Sequence, residues 1–217
     1  MITARIISIL IGYFAGLFQT GVIYGKAVGT DLRKSGSGNS GMTNSIRVLG
    51  WKAGVIVLTG DLFKAVIAII VVWLLFRHGE GPVKLYMLYA GLGAILGHNF
   101  PFYLKFKGGK GIATTVGVIC ACNPLMIPIC AACFFAAVIP TGFMSLGSLA
   151  MCLGFFVQTI LFGVLGPESL LGIPSAYHAE YYILVAIITG LAFIKHRENI
   201  KRLLRGEENK FRPGKKS

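Results

Sequence analysis

The stretch that decides the fold is AGVIVLTGDLFKAVIAIIVVWLLF, residues 53–76. Its apolar run is near-continuous over about 20 positions, the length of a helix that crosses roughly 30 Å of hydrocarbon. Similar runs recur along the chain, and 55% of the 217 residues are hydrophobic. Residues 1–24 show no small-x-small cleavage site, so we interpret them as a spanning helix rather than a signal peptide. We predict a single polytopic all-α membrane domain over residues 1–217.

The number of spanning helices depends on the apolar stretch 112–140. As one helix this stretch would be about 43 Å long, too long for a straight crossing. Asn123 and Pro124 interrupt it, because proline removes a backbone N–H and disfavours helix at the preceding residue. We therefore predict two short helices there and a bundle of seven spans in all, at about 3–25, 53–76, 83–104, 112–122, 124–140, 145–166 and 180–196.

The distribution of positive charge favours the same count. The chain has a formal net charge of +13, gathered mainly in the polar segments 26–52, 105–110 and 195–216. With seven crossings all three segments face one side, which is cytoplasmic by the positive-inside rule. The N-terminus is then outside and the C-terminus cytoplasmic. We expect the basic tail 209–217 to fray or to lie against anionic headgroups.

Two other interpretations of the composition are disfavoured. Nucleic-acid binding would suit the basic charge, but retention of cations in cytoplasmic loops and binding of small anions explain it better.

The cysteines all lie in apolar stretches, where a free thiol is a common packing residue, so we predict no disulfide. They are Cys120, Cys122, Cys130, Cys133 and Cys152.

The segment KFKGGKGIAT, residues 105–114, has the composition of a phosphate-binding loop. Its glycines Gly108, Gly109 and Gly111 allow successive backbone N–H groups to point at one anion ahead of a helix N-terminus. Lys107 and Lys110 would complete the cradle. The spacing is not that of a Walker A loop. The alternative is a flexible basic connection between two helices.

The segment GSGNSGMTN, residues 36–44, also lets backbone approach a ligand. Ser37 and Asn39 offer neutral hydrogen bonds, as do Thr43 and Asn44, and Arg47 beyond them offers a fork suited to phosphate or carboxylate. The alternative is a glycine- and serine-rich linker.

The segment HRENIKRLLRGEE, residues 196–208, places His196 and Asn199 on one helical face and Arg197 on another. The alternative is a basic amphipathic helix on the membrane surface. Within the second span, Asp61 and Lys64 are three residues apart and can pair, and such intramembrane charges are functional or structurally paired.

Taken in order, these segments resemble the bacterial acyl-phosphate:glycerol-3-phosphate acyltransferase family (PlsY). The matching motifs are GSGNSGMTN, GHNFP at 97–101 followed by KFKGGKGIAT, and HRENIKRLLRGEE. The resemblance covers nearly the whole chain and agrees with seven helices. Met42 stands where the family usually has a small residue and Lys195 where arginine is frequent. Glu208, rather than Glu207, matches the family's acidic residue.

The resemblance implies a reaction and a location. A long-chain acyl group passes from acyl phosphate to the 1-hydroxyl of sn-glycerol 3-phosphate, which gives lysophosphatidic acid and phosphate, the first step of bacterial phospholipid synthesis. The enzyme lies in the cytoplasmic membrane with its active site on the cytoplasmic face. The partners implied are the two substrates, the lipid bilayer and the soluble enzyme that makes the acyl phosphate. No cofactor is expected, and no metal, since no His or carboxylate cluster has ligand spacing.

Roles for the motif residues follow as a hypothesis. An acyl phosphate is already activated, so the site needs cations and positioning more than a nucleophile. A phosphate oxygen of a substrate can accept the proton, and no triad is arranged around Ser37. The phosphate-binding candidates are Lys107, Gly108, Gly109, Lys110 and Gly111, with Ser37 and Asn39 positioning the reacting groups. The residues expected to hold glycerol 3-phosphate or polarise the carbonyl are Arg47, His196, Arg197 and Asn199, with Lys64 and Glu208 adjoining the site.

Two rival interpretations remain at this point. A transporter for a phosphorylated metabolite would suit glycine-broken segments and buried charges, although the cations gather on one side rather than at the midplane. A purely structural membrane protein would explain the helices but not the two glycine-rich cationic loops.

Overall fold

A computed structural model describes residues 1–165 and 168–211. Every secondary-structure element in these ranges is helical, as predicted. Single 3₁₀ turns occupy Phe102–Leu104, Pro124–Met126 and Ser175–Tyr177. The α-helices are α1 Ile2–Gly16, α2 Thr20–Ala27, α3 Met42–Leu49, α4 Trp51–Phe76, α5 Val83–Asn99, α6 Ile112–Cys122, α7 Ile127–Thr141, α8 Met144–Val164, α9 Glu168–Leu171, α10 His178–Lys195 and α11 Arg197–Leu204.

Five helical stretches of the described chain are long and apolar enough to cross a membrane, judged by length and composition. The helix α6 is also apolar but is shorter. The predicted end of one span at residue 166 and the tail residues 212–217 lie outside the described ranges. The five stretches are Ile2–Ala27, Trp51–Phe76, Pro124–Thr141, Met144–Val164 and Ser175–Lys195.

The helices α1 and α5 pack backbone against backbone. A Cβ atom on Gly93 would lie 2.2 Å from the carbonyl oxygen of Ile9, and one on Gly97 would lie 2.1 Å from that of Tyr13. Glycines of α1 meet α5 in the same way, at Gly12 and Gly16. Small residues spaced four apart permit this close approach between membrane helices. The contact fixes the end of α5, which carries part of the site described below.

The first span is broken, whereas we expected it to be continuous over 3–25. The helix α1 ends at Gly16 and α2 begins at Thr20. The break frees the carbonyl of Phe18, which accepts a hydrogen bond of 2.7 Å from Lys64 Nζ. Gln19 is buried in the break, where its Nε2 donates to the His98 carbonyl at 3.0 Å. Lys64 of α4 therefore satisfies the freed Phe18 carbonyl, and Gln19 itself joins the Gly16 carbonyl at 3.3 Å to the end of α5, as hydrocarbon requires.

Prolines determine the other two interruptions. The helix α5 ends at Asn99 rather than at the expected residue 104, because Pro101 disfavours helix at Phe100. The predicted division at Asn123 and Pro124 is confirmed, since α6 ends at Cys122 and a 3₁₀ turn follows.

The apolar core lies mainly between α4, α5, α6, α8 and α10. Its largest fully buried side chains include Phe155 of α8 and Tyr181 of α10. Cys122, Cys130 and Cys152 belong to this core, in agreement with a packing role. All five cysteines are free thiols.

Candidate active site

One cavity of about 640 Å³ joins a polar end to an apolar groove. The polar end lies where the loop before α3, the loop before α6 and the helix α11 meet. Its lining includes Ser37, Asn39, Thr43, Asn44, Arg47, Asp61, His98, Lys110, Ser145, His196, Asn199, Arg202 and Glu208. The groove is lined by α6, α7 and α8, with Ile112, Val116, Ile119, Ile127, Ala131, Phe134, Phe135, Val138 and Met151.

Asn44 holds the first polar loop in shape. It is buried at the start of α3, and its Nδ2 donates to the carbonyls of Ser35 and Asn39 at 3.0 and 2.8 Å. Its Oδ1 accepts the backbone N–H of Ser37 at 2.8 Å. A buried amide whose donors and acceptor are both engaged rigidifies the backbone around it. Ser37 and Asn39 are thereby held at the cavity wall.

The glycine-rich loop packs directly on the end of α5. A Cβ atom on Gly109 would lie 2.1 Å from His98 Nε2, and one on Gly108 would lie 2.0 Å from the His98 carbonyl oxygen. The backbone N–H of Gly108 donates to the Asn99 carbonyl at 3.1 Å. Gly111 has φ of +80°, a left-handed conformation that favours glycine, and it caps α6. Close packing and a positive φ together explain the run of glycines.

Lys110 begins a chain of polar contacts across the site. Its ammonium donates to Asn199 Oδ1. The Asn199 amide donates to Glu208 Oε1 at 2.7 Å, which also accepts the Ser145 hydroxyl at 3.1 Å. Glu208 Oε2 accepts Arg202 Nε at 2.8 Å, and the carboxylate is almost fully buried. Glu208 therefore fixes the Asn199 amide so that its oxygen faces Lys110.

Burial also tunes the charge of Lys110. The pKa of its ammonium is lowered to about 8, mainly by removal from water; Glu208 opposes this effect, and the nearby cations Arg202 and Arg47 add to it. The side chain therefore remains mostly protonated at neutral pH and supplies a positive charge to the cavity.

His196 is held neutral at the junction of α10 and α11. Its Nδ1 lies 2.8 Å from the Ala192 carbonyl oxygen, which can only accept, so Nδ1 carries the hydrogen. Burial lowers the pKa of His196 to about 4, and the charge of Lys110 acts in the same direction. The other ring nitrogen, Nε2, is left as a hydrogen-bond acceptor in a residue that lines the cavity.

A buried charge cluster supports the cavity from the side of α4. Lys64 Nζ donates to Asp61 Oδ1 at 2.9 Å and lies 2.7 Å from His98 Nδ1. Since an ammonium has no lone pair, Nδ1 accepts this bond. Thr20 also donates to Asp61 at 3.0 Å. Asp61 and His98 line the cavity, with Lys64 paired behind them.

Of the thirteen residues that the sequence analysis assigned to catalysis or substrate binding, the structure brings eight together. Those on the cavity wall are Ser37, Asn39, Arg47, Lys110, Gly111, His196, Asn199 and Glu208. Others lie elsewhere. Lys107 and Gly108 line a second cleft, and Gly109 packs against His98. Arg197 is exposed and pairs with Glu198 at 3.5 Å.

Sequence reasoning missed two side chains at the cavity, Ser145 and Arg202, which hold Glu208. His98, which belongs to the quoted motif GHNFP, supports the glycine-rich loop. Arg202 lies three residues beyond Asn199 on α11, a spacing that could have indicated a shared face. Ser145 lies in an apolar run and gives no local signal.

The start of the C-terminal tail closes one side of the cavity. The Phe211 backbone N–H donates to the Gly142 carbonyl at 2.8 Å, and its ring meets Trp51 edge-on at a centroid distance of 6.1 Å. The expectation of a frayed tail is therefore wrong at Phe211, which packs on α4 and on the turn between α7 and α8. Residues 212–217 lie outside the described ranges.

The fold and the site match a known class of membrane enzyme. Two crystal structures of PlsY, an integral membrane glycerol 3-phosphate acyltransferase, match this chain with TM-scores of 0.79 and 0.77 at 31% and 30% identity. One is the glycerol 3-phosphate form and the other the lysophosphatidic acid form, and each match covers 96% of both chains. The protein is thus an integral membrane acyltransferase.

The family follows from sequence comparison. The family model described as glycerol-3-phosphate acyltransferase matches residues 6–206. The glycerol-3-phosphate acyltransferases of Staphylococcus aureus strains Newman and JH9 are each 36% identical over 213 residues, which covers 95% of this chain and 98% of theirs. The chain belongs to the glycerol-3-phosphate acyltransferase family.

Proposed function

We propose that this enzyme transfers a long-chain acyl group from acyl phosphate to the 1-hydroxyl of sn-glycerol 3-phosphate, releasing lysophosphatidic acid and phosphate. The observation that carries the proposal is the single cavity in which a cationic, glycine-flanked end is continuous with an apolar groove. The two phosphates require cations, and the acyl chain requires an apolar channel. Family membership supports glycerol 3-phosphate as the acceptor.

Different residues of the cavity bind different groups of the two substrates. Lys110 and the backbone of Gly111 hold one substrate phosphate ahead of α6, with Gly109 packed behind them on His98. Arg47, on the facing wall, binds the other phosphate. Ser37 and Asn39 orient the reacting groups, and Asn199 is held for the same purpose by Glu208. The roles of Lys107, Gly108, Arg197 and Lys64 are indirect, since none of them lines this cavity.

The transfer itself requires no enzyme nucleophile. The 1-hydroxyl oxygen attacks the acyl carbonyl carbon, and the bond from that carbon to the phosphate oxygen breaks, so that phosphate leaves with the electron pair. The hydroxyl proton passes to a phosphate oxygen. The low pKa of His196 makes it a weak base, so its Nε2 serves as an acceptor that orients the other free hydroxyl of glycerol 3-phosphate and does not take the proton. Holding the atoms about 3–3.5 Å apart supplies much of the acceleration.

The proposal includes a membrane arrangement. The chain crosses the cytoplasmic membrane of a bacterium seven times, with α5 and α6 completing the five long spans, the N-terminus outside and the active site at the cytoplasmic face. Support comes from the positive charge of the loops beside the cavity. The soluble enzyme that makes the acyl phosphate is the expected source of the donor. No cofactor is needed because the donor is already activated.

The test uses the purified protein in micelles with glycerol 3-phosphate. Palmitoyl phosphate and palmitoyl-CoA are supplied in parallel, and both lysophosphatidic acid and phosphate are measured. We expect equal amounts of the two products from palmitoyl phosphate and none from palmitoyl-CoA. Ser37→Ala should lose most activity, whereas Lys52→Gln, at an exposed position outside the cavity, should retain it. Product from palmitoyl-CoA alone would refute the proposed donor, and no product from either would direct attention to transport of a phosphorylated metabolite.

A further inference from the structure

Residues 99–108 form a closed loop whose neck is fixed to the bundle. The backbone N–H of Gly108 donates to the Asn99 carbonyl at 3.1 Å, which joins the two ends. Lys195 of α10 donates to the carbonyls of Asn99 and Gly108 at 3.0 and 3.4 Å. Its ammonium also lies 4.8 Å from the centre of the Phe100 ring. The loop is therefore a rigid projection at one end of the bundle.

The tip of this loop exposes aromatic rings beside cations. Phe102, Tyr103 and Phe106 are 54, 49 and 61% exposed, and Lys105 and Lys107 are exposed as well. Lys105 and Phe106 both adopt positive φ, at 53 and 59°, which is unusual for residues other than glycine. Strained backbone of this kind persists where the surrounding structure imposes it and concentrates at ligand-binding segments.

A cleft of about 510 Å³ lies between this loop and the loop that precedes α3. Four basic side chains line it, against one carboxylate, Asp31, which is already bound to Arg33 at 3.0 Å. The three remaining cations form no ion pair within residues 1–165 and 168–211. They are Lys34, Lys105 and Lys107.

We propose that this cleft binds the phosphate of an anionic phospholipid headgroup. Uncompensated ammonium groups match a phosphate, and basic residues next to spanning helices attract anionic lipid. The exposed rings favour a lipid over a free anion, because aromatic side chains settle at the headgroup level of a bilayer, whereas a dissolved phosphate would leave them in water. Because the neck of the loop is fixed, the loop loses little conformational freedom when the lipid binds.

The cleft is separate from the catalytic cavity but shares its walls. Ser37 and Asn39 line the cavity, while the alternate residues Gly38 and Ser40 line the cleft. A bound headgroup therefore lies behind the loop that positions the reacting groups. The proposal concerns binding alone, so its test does not depend on the acyl donor.

The experiment compares the wild type with two variants, each of which lacks two lysine charges. Wild type, Lys34→Gln/Lys105→Gln and the control Lys26→Gln/Lys52→Gln are reconstituted in nanodiscs of phosphatidylcholine with phosphatidylglycerol. The control removes the same charge from exposed positions at the same end of the bundle but outside the cleft. Native mass spectrometry then measures the affinity for retained phosphatidylglycerol, and thermal unfolding verifies that each protein is folded.

We expect the cleft variant to lose roughly tenfold or more in affinity for phosphatidylglycerol, and the control to match wild type. Equal retention by all three proteins would overturn the proposal and leave an acidic protein as the better occupant. Equal retention of the lipid by all three proteins, together with binding of inorganic phosphate that is lost only in the cleft variant, would identify a site for free anions and would also overturn the proposal.

Discussion

At the residue scale, the charge state of Lys110 controls how the cavity can bind phosphate. Burial brings the pKa of this side chain down to about 8 in the free enzyme. Below that pH the ammonium is present and attracts a substrate phosphate, and above it the charge is lost. With the ordinary lysine pKa of about 10.4, the charge would be lost only above the pH range in which the enzyme is assayed.

We therefore expect kcat/KM for glycerol 3-phosphate to fall by about tenfold per pH unit above pH 8. Lys110→Arg should show no such decline, whatever its absolute activity, because a guanidinium stays charged in this range. The pH profiles of both proteins, measured with one donor at saturation, provide the check. Parallel declines in the two profiles would mean that another group is responsible.

Gly109→Ala tests the contact between the glycine-rich loop and His98. The new Cβ atom would lie 2.1 Å from His98 Nε2, and the ring cannot turn away without leaving Lys64. The loop should shift, and a displacement of about 1 Å costs on the order of 100-fold in activity. We expect a raised KM for glycerol 3-phosphate in steady-state kinetics.

The matched control for this substitution is Gly190→Ala on α10, where no atom lies within 4 Å of the added Cβ. It should behave as wild type. Unchanged kinetics in Gly109→Ala would show that the loop does not depend on His98 for its position.

Sequence alone predicted the residues of the polar loops because their composition is locally informative. Lys110 and Gly111 stand in a run of cations and glycines, and both line the cavity. Lys107 has the same local composition but points into the other cleft. Which side of a loop a residue occupies depends on contacts with α5 and α10 that lie far away in sequence.

At the element scale, the glycine seam between α1 and α5 holds the end of α5 that supports the site. Gly93→Val should lower the free energy of unfolding by about 1–3 kcal/mol, since its Cβ would overlap the Ile9 carbonyl oxygen. Gly190→Val makes the same change in helix propensity without the overlap. Thermal unfolding of both variants in one detergent would measure the difference, and equal stabilities would exclude a packing role for the seam.

Proline marks two of the helix interruptions, although only the one at Pro124 was predicted. Pro124 and Pro101 act through their own rings, so α6 and α5 end near them, whereas the span at 83–104 was expected to continue past Pro101. The break after Gly16 contains no proline, so the sequence gives no local sign of it. It is stabilised by Lys64, which donates to the freed Phe18 carbonyl, and by Gln19, which donates to the carbonyls of Gly16 and His98, and these contacts form only when α4 and α5 are packed against the break.

At the scale of the whole molecule, the basic loops and the catalytic cavity lie at one end of the bundle. We expect a reporter fused after Ser217 to behave as cytoplasmic and one inserted into the turn at 78–81 to behave as external. The pair of fusions controls for expression, because each reporter is active on only one side. An external C-terminus would refute the seven-crossing arrangement.

The continuity of the cavity from polar end to apolar groove has a consequence for membrane growth. On the proposed reaction, each new lysophosphatidic acid forms with its headgroup among the loops and its chain already parallel to the spanning helices. It can slide sideways into the bilayer without turning over. All new material then enters a single leaflet, so the opposite leaflet can expand only if other machinery carries lipid across.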